Sequence, residues 1–302
     1  MNILEVNNIY KNYEDKIVLK DIKFSMQSGE IIGLVGPNGA GKTTLMKIIT
    51  GLLEQDSGMI KICEISIQTN RENYLGKFSS IIETPSLYET LSGYDNINII
   101  RKINNIPKEK MVNILKFIGI KEMIYSKVKN YSLGMKQRLA LGIALITEPT
   151  LLILDEPTNG LDPEGVIEFR KLLIQLSNEG GISILISSHI LSELDKICTR
   201  VLFLKNSELT AINPNNTGIN FQNIVLEVEN SENIYAILKK IEEIEDVTTI
   251  NSNKISIKVN KKQTPKLISK LQENNIDYTN IEILNNSIEQ IYTDVFLGGN
   301  NA

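Results

Sequence analysis

The sequence predicts an α/β protein in two parts: a larger unit built on a mostly parallel sheet, and a smaller α+β domain after it. Two observations carry this prediction. Short apolar runs alternate with helical patterns over residues 1–205, which is typical of an α/β unit. A polar stretch containing Pro and Gly at residues 206–220 then breaks the pattern, and this composition indicates a linker. The smaller domain therefore covers residues 221–302.

The elements of the larger unit follow from apolar runs and periodicity. Candidate strands cover residues 31–35, 79–83, 151–154, 182–187 and 200–204. Between residues 90 and 148 the spacing of the apolar residues becomes helical. Their common face is formed by Ile97, Ile100, Ile114, Leu115 and Ile118. A helical subdomain is therefore expected to be inserted into the sheet unit.

The smaller domain shows the element order β-α-β-β-α-β, which is the ferredoxin-like or split βαβ arrangement. The predicted elements are a strand at 223–229, a helix at 231–243, strands at 245–250 and 254–259, a helix at 264–274 and a strand at 278–284. A closing amphipathic helix is predicted at 287–297. His, Cys and carboxylates do not cluster here at site-like spacing, so we expect a packing or regulatory module.

Composition narrows the class of protein. Hydrophobic content of 42% and charged content of 23% are normal for a globular protein. The sequence has neither an uncharged apolar run long enough to span a membrane nor a signal-peptide pattern at its start, so we expect a cytoplasmic location. A net charge of −4 argues against a nucleic-acid partner. Cys63 and Cys198 lie in apolar segments, which favours core packing over a disulfide or a metal site.

Residues 36–44 read G-P-N-G-A-G-K-T-T, between the apolar run Ile31–Val35 and a helical stretch. The glycines let the backbone curl, so that successive N–H groups face one concavity at a helix N-terminus, an arrangement that binds phosphate. In this motif Lys42 reaches the β- and γ-phosphates and the Thr43 hydroxyl ligates Mg²⁺. The motif predicts that the chain binds a nucleoside triphosphate.

Polar side chains follow two other predicted strands. Asp155 and Glu156 come directly after the apolar strand 151–154, and His189, the only histidine, closes the strand 182–187. Ligands bind at the carboxyl edge of open α/β sheets. Asp155 is suited to hold Mg²⁺ through water and Glu156 to orient and polarise the attacking water. His189, as a neutral imidazole, is placed to donate a hydrogen bond to a γ-phosphate oxygen.

A second anion site is predicted where Y-S-L-G-M-K-Q-R precedes a helical run. Ser132 and Gly134 open this helix, so a hydroxyl, free N–H groups and the positive helix end point the same way.

Together these motifs resemble those of the ATP-binding subunit of ABC transporters, over residues 1 to about 205. The resemblance implies a P-loop NTPase fold with an ABC-type ATPase head, ATP as substrate and Mg²⁺ as cofactor. It also implies a head-to-tail homodimer with ATP at the interface. Each ATP would lie between one subunit's phosphate loop and the partner's signature loop. The partners would be polytopic membrane permease subunits, which would hold the chain at the inner face of the cell membrane.

The resemblance assigns site residues by position. Tyr13 would stack on adenine, residues 132–135 would form the signature loop and residues 159–162 the D-loop. The ATP-binding set is Tyr13, Gly36, Pro37, Asn38, Gly39, Ala40, Gly41, Lys42, Thr43, Thr44, Ser132, Leu133, Gly134, Met135 and Asp162. The metal ligands are Thr43, Glu83 and Asp155, and the catalytic residues are Glu156 and His189.

Two departures from the family pattern are informative. The signature usually reads L-S-G-G-Q, whereas Tyr131 and Leu133 replace its first and third residues here, and most members carry Gln at the position of Glu83. Together with the C-terminal domain, these features are similar to the branch that exports or expels lantibiotics and bacitracin-type peptides. Residue 83 would bridge Mg²⁺ and the permease-facing surface, or it would only extend an exposed loop.

The three residues Tyr88, Leu91 and Tyr94 follow this position. They are candidates for the pocket that receives a permease's cytoplasmic helix. Internal packing of the three is the alternative.

Competing functions make different demands on the sequence. A DNA-repair or chromosome-structure ATPase would need a long coiled-coil insertion, but only about 90 residues separate Thr43 from Ser132, without sustained heptads. A ribosome-associated ATPase would need two ATP-binding units in one chain, and a non-hydrolytic module would not need Glu156 and His189. An exporter of another substrate, such as a drug or a lipid, stays open as the alternative to peptide export.

Overall fold

The computed structural model describes residues 2–14, 16–212, 221–274 and 276–284. The chain divides into two compact units, residues 1–212 and 213–302. Residues 208–212 form a strand that pairs with residues 201–205, so this part of the predicted linker belongs to the first unit instead. The rest of that stretch, 213–220, lies outside the described residues.

The first unit contains ten strands and seven α-helices among its described residues. The strands are β1 Asn2–Tyr13, β2 Lys16–Gln27, β3 Ile31–Val35, β4 Ser57–Ile62, β5 Ile65–Ser66, β6 Phe78–Ile81, β7 Leu151–Leu154, β8 Ser183–Ser187, β9 Arg200–Lys205 and β10 Glu208–Ile212. The helices are α1 Lys42–Ile49, α2 Arg71–Leu75, α3 Gly93–Ile103, α4 Lys108–Ile118, α5 Leu133–Leu145, α6 Pro163–Asn178 and α7 Leu191–Leu194.

The central sheet has six strands in the order β10-β9-β3-β8-β7-β6, and all but β10 run parallel. Every residue of β3, β7 and β8 is buried. Parallel strands covered on both faces read as continuous apolar runs, which is why the sequence predicted them closely. The β6 strand ends at Ile81 and not at residue 83, so Glu83 lies beyond the sheet.

A second sheet in this unit was not predicted. It is antiparallel, with the order β2-β1-β4-β5. Register shifts interrupt the pairing of β1 with β2, and Asn8 and Asp21 have positive φ values. These irregularities break the strict alternation of apolar and polar residues that identifies a strand in sequence.

The helical subdomain lies between β6 and β7, as predicted. Helix α3 begins after Ser92, whose hydroxyl accepts a hydrogen bond from the Asp95 N–H at 3.0 Å, an N-cap of the usual type. Ile97, Met111 and Ile146 are buried against one another. Short 3₁₀ turns at Lys121–Tyr125 and Val128–Asn130 lead into α5.

The second unit has the predicted order of elements over residues 221–284. They are β11 Phe221–Glu227, α8 Ser231–Leu238, β12 Ile244–Asn251, β13 Lys254–Asn260, α9 Thr264–Glu273 and β14 Asn280–Leu284. The antiparallel sheet has the order β12-β13-β11-β14, which matches a split βαβ arrangement. The helix predicted at 287–297 lies outside the described residues.

A helix that crosses a membrane must be long and apolar along its length. Within the part of the chain that the structure describes, none is both long enough and apolar enough to cross a bilayer.

Candidate active site

Four parallel strands bring the predicted site residues to one edge of the central sheet. The phosphate loop follows β3, the acids Asp155 and Glu156 follow β7, His189 follows β8, and Glu83 follows β6. Because the strands are parallel, their carboxyl ends share one edge, where open α/β sheets bind ligands. The topology therefore brings together residues that are far apart in sequence.

The phosphate loop has the backbone that its glycines allow. Gly39 and Gly41 have φ values of 77° and 106°, which side chains with a Cβ adopt at a cost. A Cβ on Gly36 would lie 2.3 Å from the carbonyl oxygen of Leu204 on β9, so only glycine fits this close approach. Gly41 precedes α1, whose first N–H groups have no intrahelical partner.

Lys42 lies inside this loop and is only 6% exposed. Its Nζ donates to the carbonyl oxygen of Gly36 at 2.7 Å and to that of Pro37 at 3.3 Å. Pro37, Asn38 and Gly39 are exposed, so solvent reaches the outer part of the loop. The ammonium group thus stands within the loop that the motif assigns to phosphate.

A chain of hydrogen bonds joins the phosphate loop to both acids. Thr43 Oγ1 donates to Asp155 Oδ2 at 2.7 Å, and Ser187 Oγ donates to Asp155 Oδ1 at 2.6 Å. The main-chain N–H of Glu156 donates to Ser187 Oγ at 2.8 Å. Each oxygen of the buried Asp155 carboxylate therefore has its own donor.

The Glu156 side chain lies between a lysine and a histidine. Its Oε1 is 3.7 Å from Lys42 Nζ, and its Oε2 is 3.0 Å from His189 Nδ1. Because an ionised carboxylate only accepts hydrogen bonds, a neutral His189 in this contact carries its proton on Nδ1 and leaves Nε2 an acceptor. Donation to a phosphate through Nε2 would then need a second ring proton. The contact with Glu156 was not foreseen from the sequence.

The residues at this edge fit a magnesium ion that is shared with a nucleotide. Thr43 and Asp155 present a hydroxyl and a carboxylate oxygen 2.7 Å apart beside the phosphate loop, and Mg²⁺ prefers such hard oxygen ligands. Clusters of three or more His, Cys, Asp or Glu able to hold a metal do not occur among the described residues. Mg²⁺ commonly combines one or two protein oxygens with substrate phosphates.

Glu83 is engaged by a lysine in this structure. Its Oε1 accepts a hydrogen bond from Lys47 Nζ of α1 at 2.6 Å, and the bond raises the pKa of the Lys47 ammonium. Glu83 is 64% exposed and has a φ of 64°, an uncommon value for a residue other than glycine. The metal role assigned to Glu83 stays a prediction; in this structure its Oε1 is bound to Lys47.

The signature loop lies at a separate cleft. Ser132 caps α5 by accepting a hydrogen bond from the Met135 N–H at 3.3 Å, and Asp162 caps α6 by accepting one from the Gly165 N–H at 2.9 Å. The cleft between them has a volume of about 480 Å³. Its lining residues are Ser132, Leu133, Gly134, Arg138, Gly160, Leu161, Asp162, Glu164, Gly165, Glu168 and Phe169. Within the described ranges, the phosphate loop contributes nothing to this lining.

The aromatic candidates differ in their surroundings. Tyr13, at the end of β1, is 47% exposed, with Lys11 Nζ 5.6 Å from its ring centroid, and its stacking on adenine stays a prediction. Tyr94 instead stacks on Tyr125 with centroids 5.7 Å apart, which is the packing alternative. Tyr88 is 60% exposed.

Sequence reasoning assigned no role to Ser187 or Lys47. Ser187 lies in an apolar strand two residues before His189, and a hydroxyl at a buried position next to a site residue was the available signal. For Lys47 there was no such signal, because a lysine on a helix is usually solvated. Cys198 is partly buried and packs against Gly33, and desolvation raises the pKa of its thiol, in agreement with the packing expected of it.

A strand, a glycine-rich loop and a helix with a buried lysine define a P-loop nucleoside triphosphatase when an acid pair follows another parallel strand of the same sheet, here β7, which β8 separates from β3. The family model described as ABC transporter matches residues 19–159. The chain belongs to the ATP-binding proteins of ABC transporters.

Relatives support this assignment over different lengths. The bacitracin transport ATP-binding protein BcrA of Bacillus licheniformis is 32% identical, over 98% of this chain and 98% of that protein. The lantibiotic transport ATP-binding protein SrtF of Streptococcus pyogenes is 41% identical, over 68% of this chain and 89% of that protein. The predicted resemblance to this branch is confirmed.

A solved structure shows the same fold. It is that of cbiO1 from Clostridium perfringens, part of the ABC transporter complex cbiONQ. Its TM-score is 0.66 at 32% identity, over 70% of this chain and 89% of that one.

Proposed function

We propose that the chain binds and hydrolyses ATP with Mg²⁺ and thereby powers transport through separate membrane subunits. The observation that carries the proposal is the hydrogen-bonded series from Thr43 through Asp155 to Glu156, which begins at the phosphate loop and ends at His189. Such a series places a metal-binding oxygen and a base beside the position of the phosphates.

Each site residue has a separate role in the transfer of the γ-phosphoryl group to water. Lys42 and the loop N–H groups bind the β- and γ-phosphates, and Thr43 with Asp155 would hold Mg²⁺, which neutralises developing phosphate charge when bound. The Glu156 carboxylate would orient the attacking water and accept its proton as the new bond to the γ-phosphorus forms, while the bond from that phosphorus to the bridging oxygen breaks and ADP leaves. His189, half exposed beside Glu156, holds that carboxylate until substrate enters.

A head-to-tail homodimer would complete each ATP site. Ser132 is exposed at the N-terminus of α5, and Leu133 next to it is 42% exposed. A hydroxyl and free N–H groups at a helix start suit a phosphate, yet the signature cleft and the phosphate loop are separate within the described first unit. A second copy would supply the missing half of each site.

Permease subunits are the expected membrane partners, and they would hold the chain at the inner face of the cell membrane. A groove of about 490 Å³ supports this docking, because it lies beside Glu83 and is lined by Leu52, Leu75, Phe78 and residues 84–87. Tyr88, Leu91 and Tyr94 do not line it, so a permease helix would sit against Pro85 and Leu87 instead. Apolar grooves of this kind accept amphipathic helices.

The exported molecule is proposed to be a peptide antibiotic of the lantibiotic or bacitracin type. Support comes from the alignment with the bacitracin transport protein along almost the whole of both chains and from Glu83 in place of the usual Gln. A drug or lipid exporter is the second candidate, because substrate specificity would reside in the permease.

Two experiments test these proposals. Tagged protein from detergent-solubilised membranes should copurify with a polytopic membrane protein and release phosphate from ATP only with Mg²⁺; copurification with ribosomes or DNA would contradict the transport role. Deleting the gene should sensitise cells to bacitracin or a lantibiotic more than to unrelated drugs. Equal sensitisation to both classes would favour the second candidate.

A further inference from the structure

The hydroxyl of Ser187 touches both acids of the site. The residue is fully buried at the end of β8, and its Oγ lies 2.6 Å from Asp155 Oδ1 and 2.8 Å from the main-chain nitrogen of Glu156. An ionised carboxylate offers no proton, so the single hydroxyl proton must go to Asp155 while an oxygen lone pair accepts the Glu156 N–H. Both bonds therefore have one defined direction.

The first bond distinguishes the two oxygens of Asp155. Ser187 holds Oδ1 from inside the sheet, which leaves Oδ2 toward Thr43 at 2.7 Å. Asp155 is 6% exposed, and without Ser187 its Oδ1 would be a buried acceptor with one donor fewer. Rotation of the carboxylate to recover a partner would move Oδ2 away from the phosphate loop.

The second bond holds the turn that carries Glu156. This residue has a φ of 47°, in the left-handed region that residues with a Cβ enter only at a cost. The N–H bond to Ser187 offsets part of that cost and keeps the side chain between Lys42 and His189. Loss of the bond would allow the turn to relax and the carboxylate to leave this position.

We propose that Ser187 is a positioning residue for ATP hydrolysis, orienting Asp155 toward the metal side and holding the turn that aims Glu156. The inference rests on the proposed function. Ser187 does not touch the substrate in this assignment, since it acts only through the two acids.

The test compares Ser187→Ala with Ser183→Ala in the full-length protein. Ser183 is also fully buried in β8, and its Oγ accepts from the Gly29 N–H at 3.0 Å and donates to the Gln27 carbonyl oxygen at 3.3 Å. It is a matched control, because it makes similar hydrogen bonds at the opposite end of the same strand. Calorimetry of ATP binding against Mg²⁺ concentration, thermal melting and steady-state kinetics are measured for both.

Ser187→Ala should lower kcat by on the order of tenfold or more at saturating Mg²⁺, with little change in KM. It should also raise the Mg²⁺ concentration that gives half-maximal ATP affinity by about threefold or more. Ser183→Ala should leave kcat and this Mg²⁺ concentration unchanged, even if its melting temperature falls as far as that of Ser187→Ala. Ser187→Thr, which keeps the hydroxyl, should restore both where melting shows it folded.

A folded Ser187→Ala protein with wild-type kcat and wild-type Mg²⁺ dependence would overturn the inference. So would equal losses of kcat in the two alanine variants, because these would indicate strand stability alone. If the wild-type protein binds no ATP under any Mg²⁺ concentration, the proposed function itself is wrong, so the two failures are distinguishable.

Discussion

Replacement of Glu156 by Gln is the most direct test of the catalytic assignment. Gln has nearly the same shape as Glu, but it cannot accept a proton from water. The substitution leaves the phosphate-binding groups and the two residues Thr43 and Asp155 untouched. Glu156 is joined to Asp155 through its main-chain N–H, which donates to Ser187 and is still present in Gln. We therefore expect ATP to bind while hydrolysis is lost.

The size of the effect can be worked out for both activity and stability. Loss of a general base lowers the rate by about 10²- to 10⁴-fold, which is about 2.7–5.4 kcal/mol at 1.36 kcal/mol per factor of ten. Folding should change little, because the Lys42 contact is long at 3.7 Å and a Gln oxygen can still accept from His189 Nδ1. We expect the free energy of unfolding to change by no more than about 1 kcal/mol. That corresponds to a shift of about 2–4 °C in Tm for a unit of this size.

The assay combines phosphate release, calorimetry of ATP binding and size-exclusion chromatography with ATP. Glu156→Gln should elute as an ATP-bound dimer. The control is Glu148→Gln, since Glu148 is 66% exposed and forms an ion pair with Lys110 at 2.7 Å. Neither residue belongs to the phosphate loop, so the turnover of this variant should be that of the wild type. A monomeric Glu156→Gln protein with wild-type turnover would refute the base assignment.

Three further changes test other parts of the molecule. Lys42→Ala should weaken ATP binding by about tenfold or more, because it removes charge-assisted hydrogen bonds to phosphate; unchanged affinity by calorimetry would exclude the phosphate site. Glu83→Gln removes the exposed ion pair with Lys47, so Tm should stay nearly constant, but the Mg²⁺ concentration for half-maximal ATPase activity should rise. Identical Mg²⁺ dependence and full peptide resistance in cells would make Glu83 an exposed loop residue. A chain that ends at Ile212 should fold and bind ATP with the affinity of the full protein, because residues 1–212 form a compact unit with their own core; its aggregation would indicate that the remaining residues complete that core.

Much of the first unit could be predicted because its signals are local. The β7 strand and the acids after it are adjacent in sequence, as are the phosphate loop and the helix it opens. A continuous apolar run needs burial on both faces, so the parallel strands were also readable. The antiparallel sheet was missed because its register shifts remove the alternation on which such a prediction depends.

The partners of the site residues were decided by tertiary structure. Ser187 and Asp155 are 32 residues apart and meet only because β7 and β8 pair in parallel. The contact of His189 with Glu156 depends on the same pairing. Lys47 reaches Glu83 because α1 ends near the loop that follows β6, and no spacing in the sequence encodes that distance.

The sequence by itself determined which chemistry this protein can perform, since a phosphate loop and an acid pair are specified by neighbouring residues and their order. Only the tertiary structure decided which oxygen of Asp155 faces Thr43, which atoms hold Glu156 and which cation holds Glu83. The physical reason is that the sequence fixes the order of the side chains. The direction and length of a hydrogen bond between distant residues are fixed only when the strands that carry them pair in the sheet.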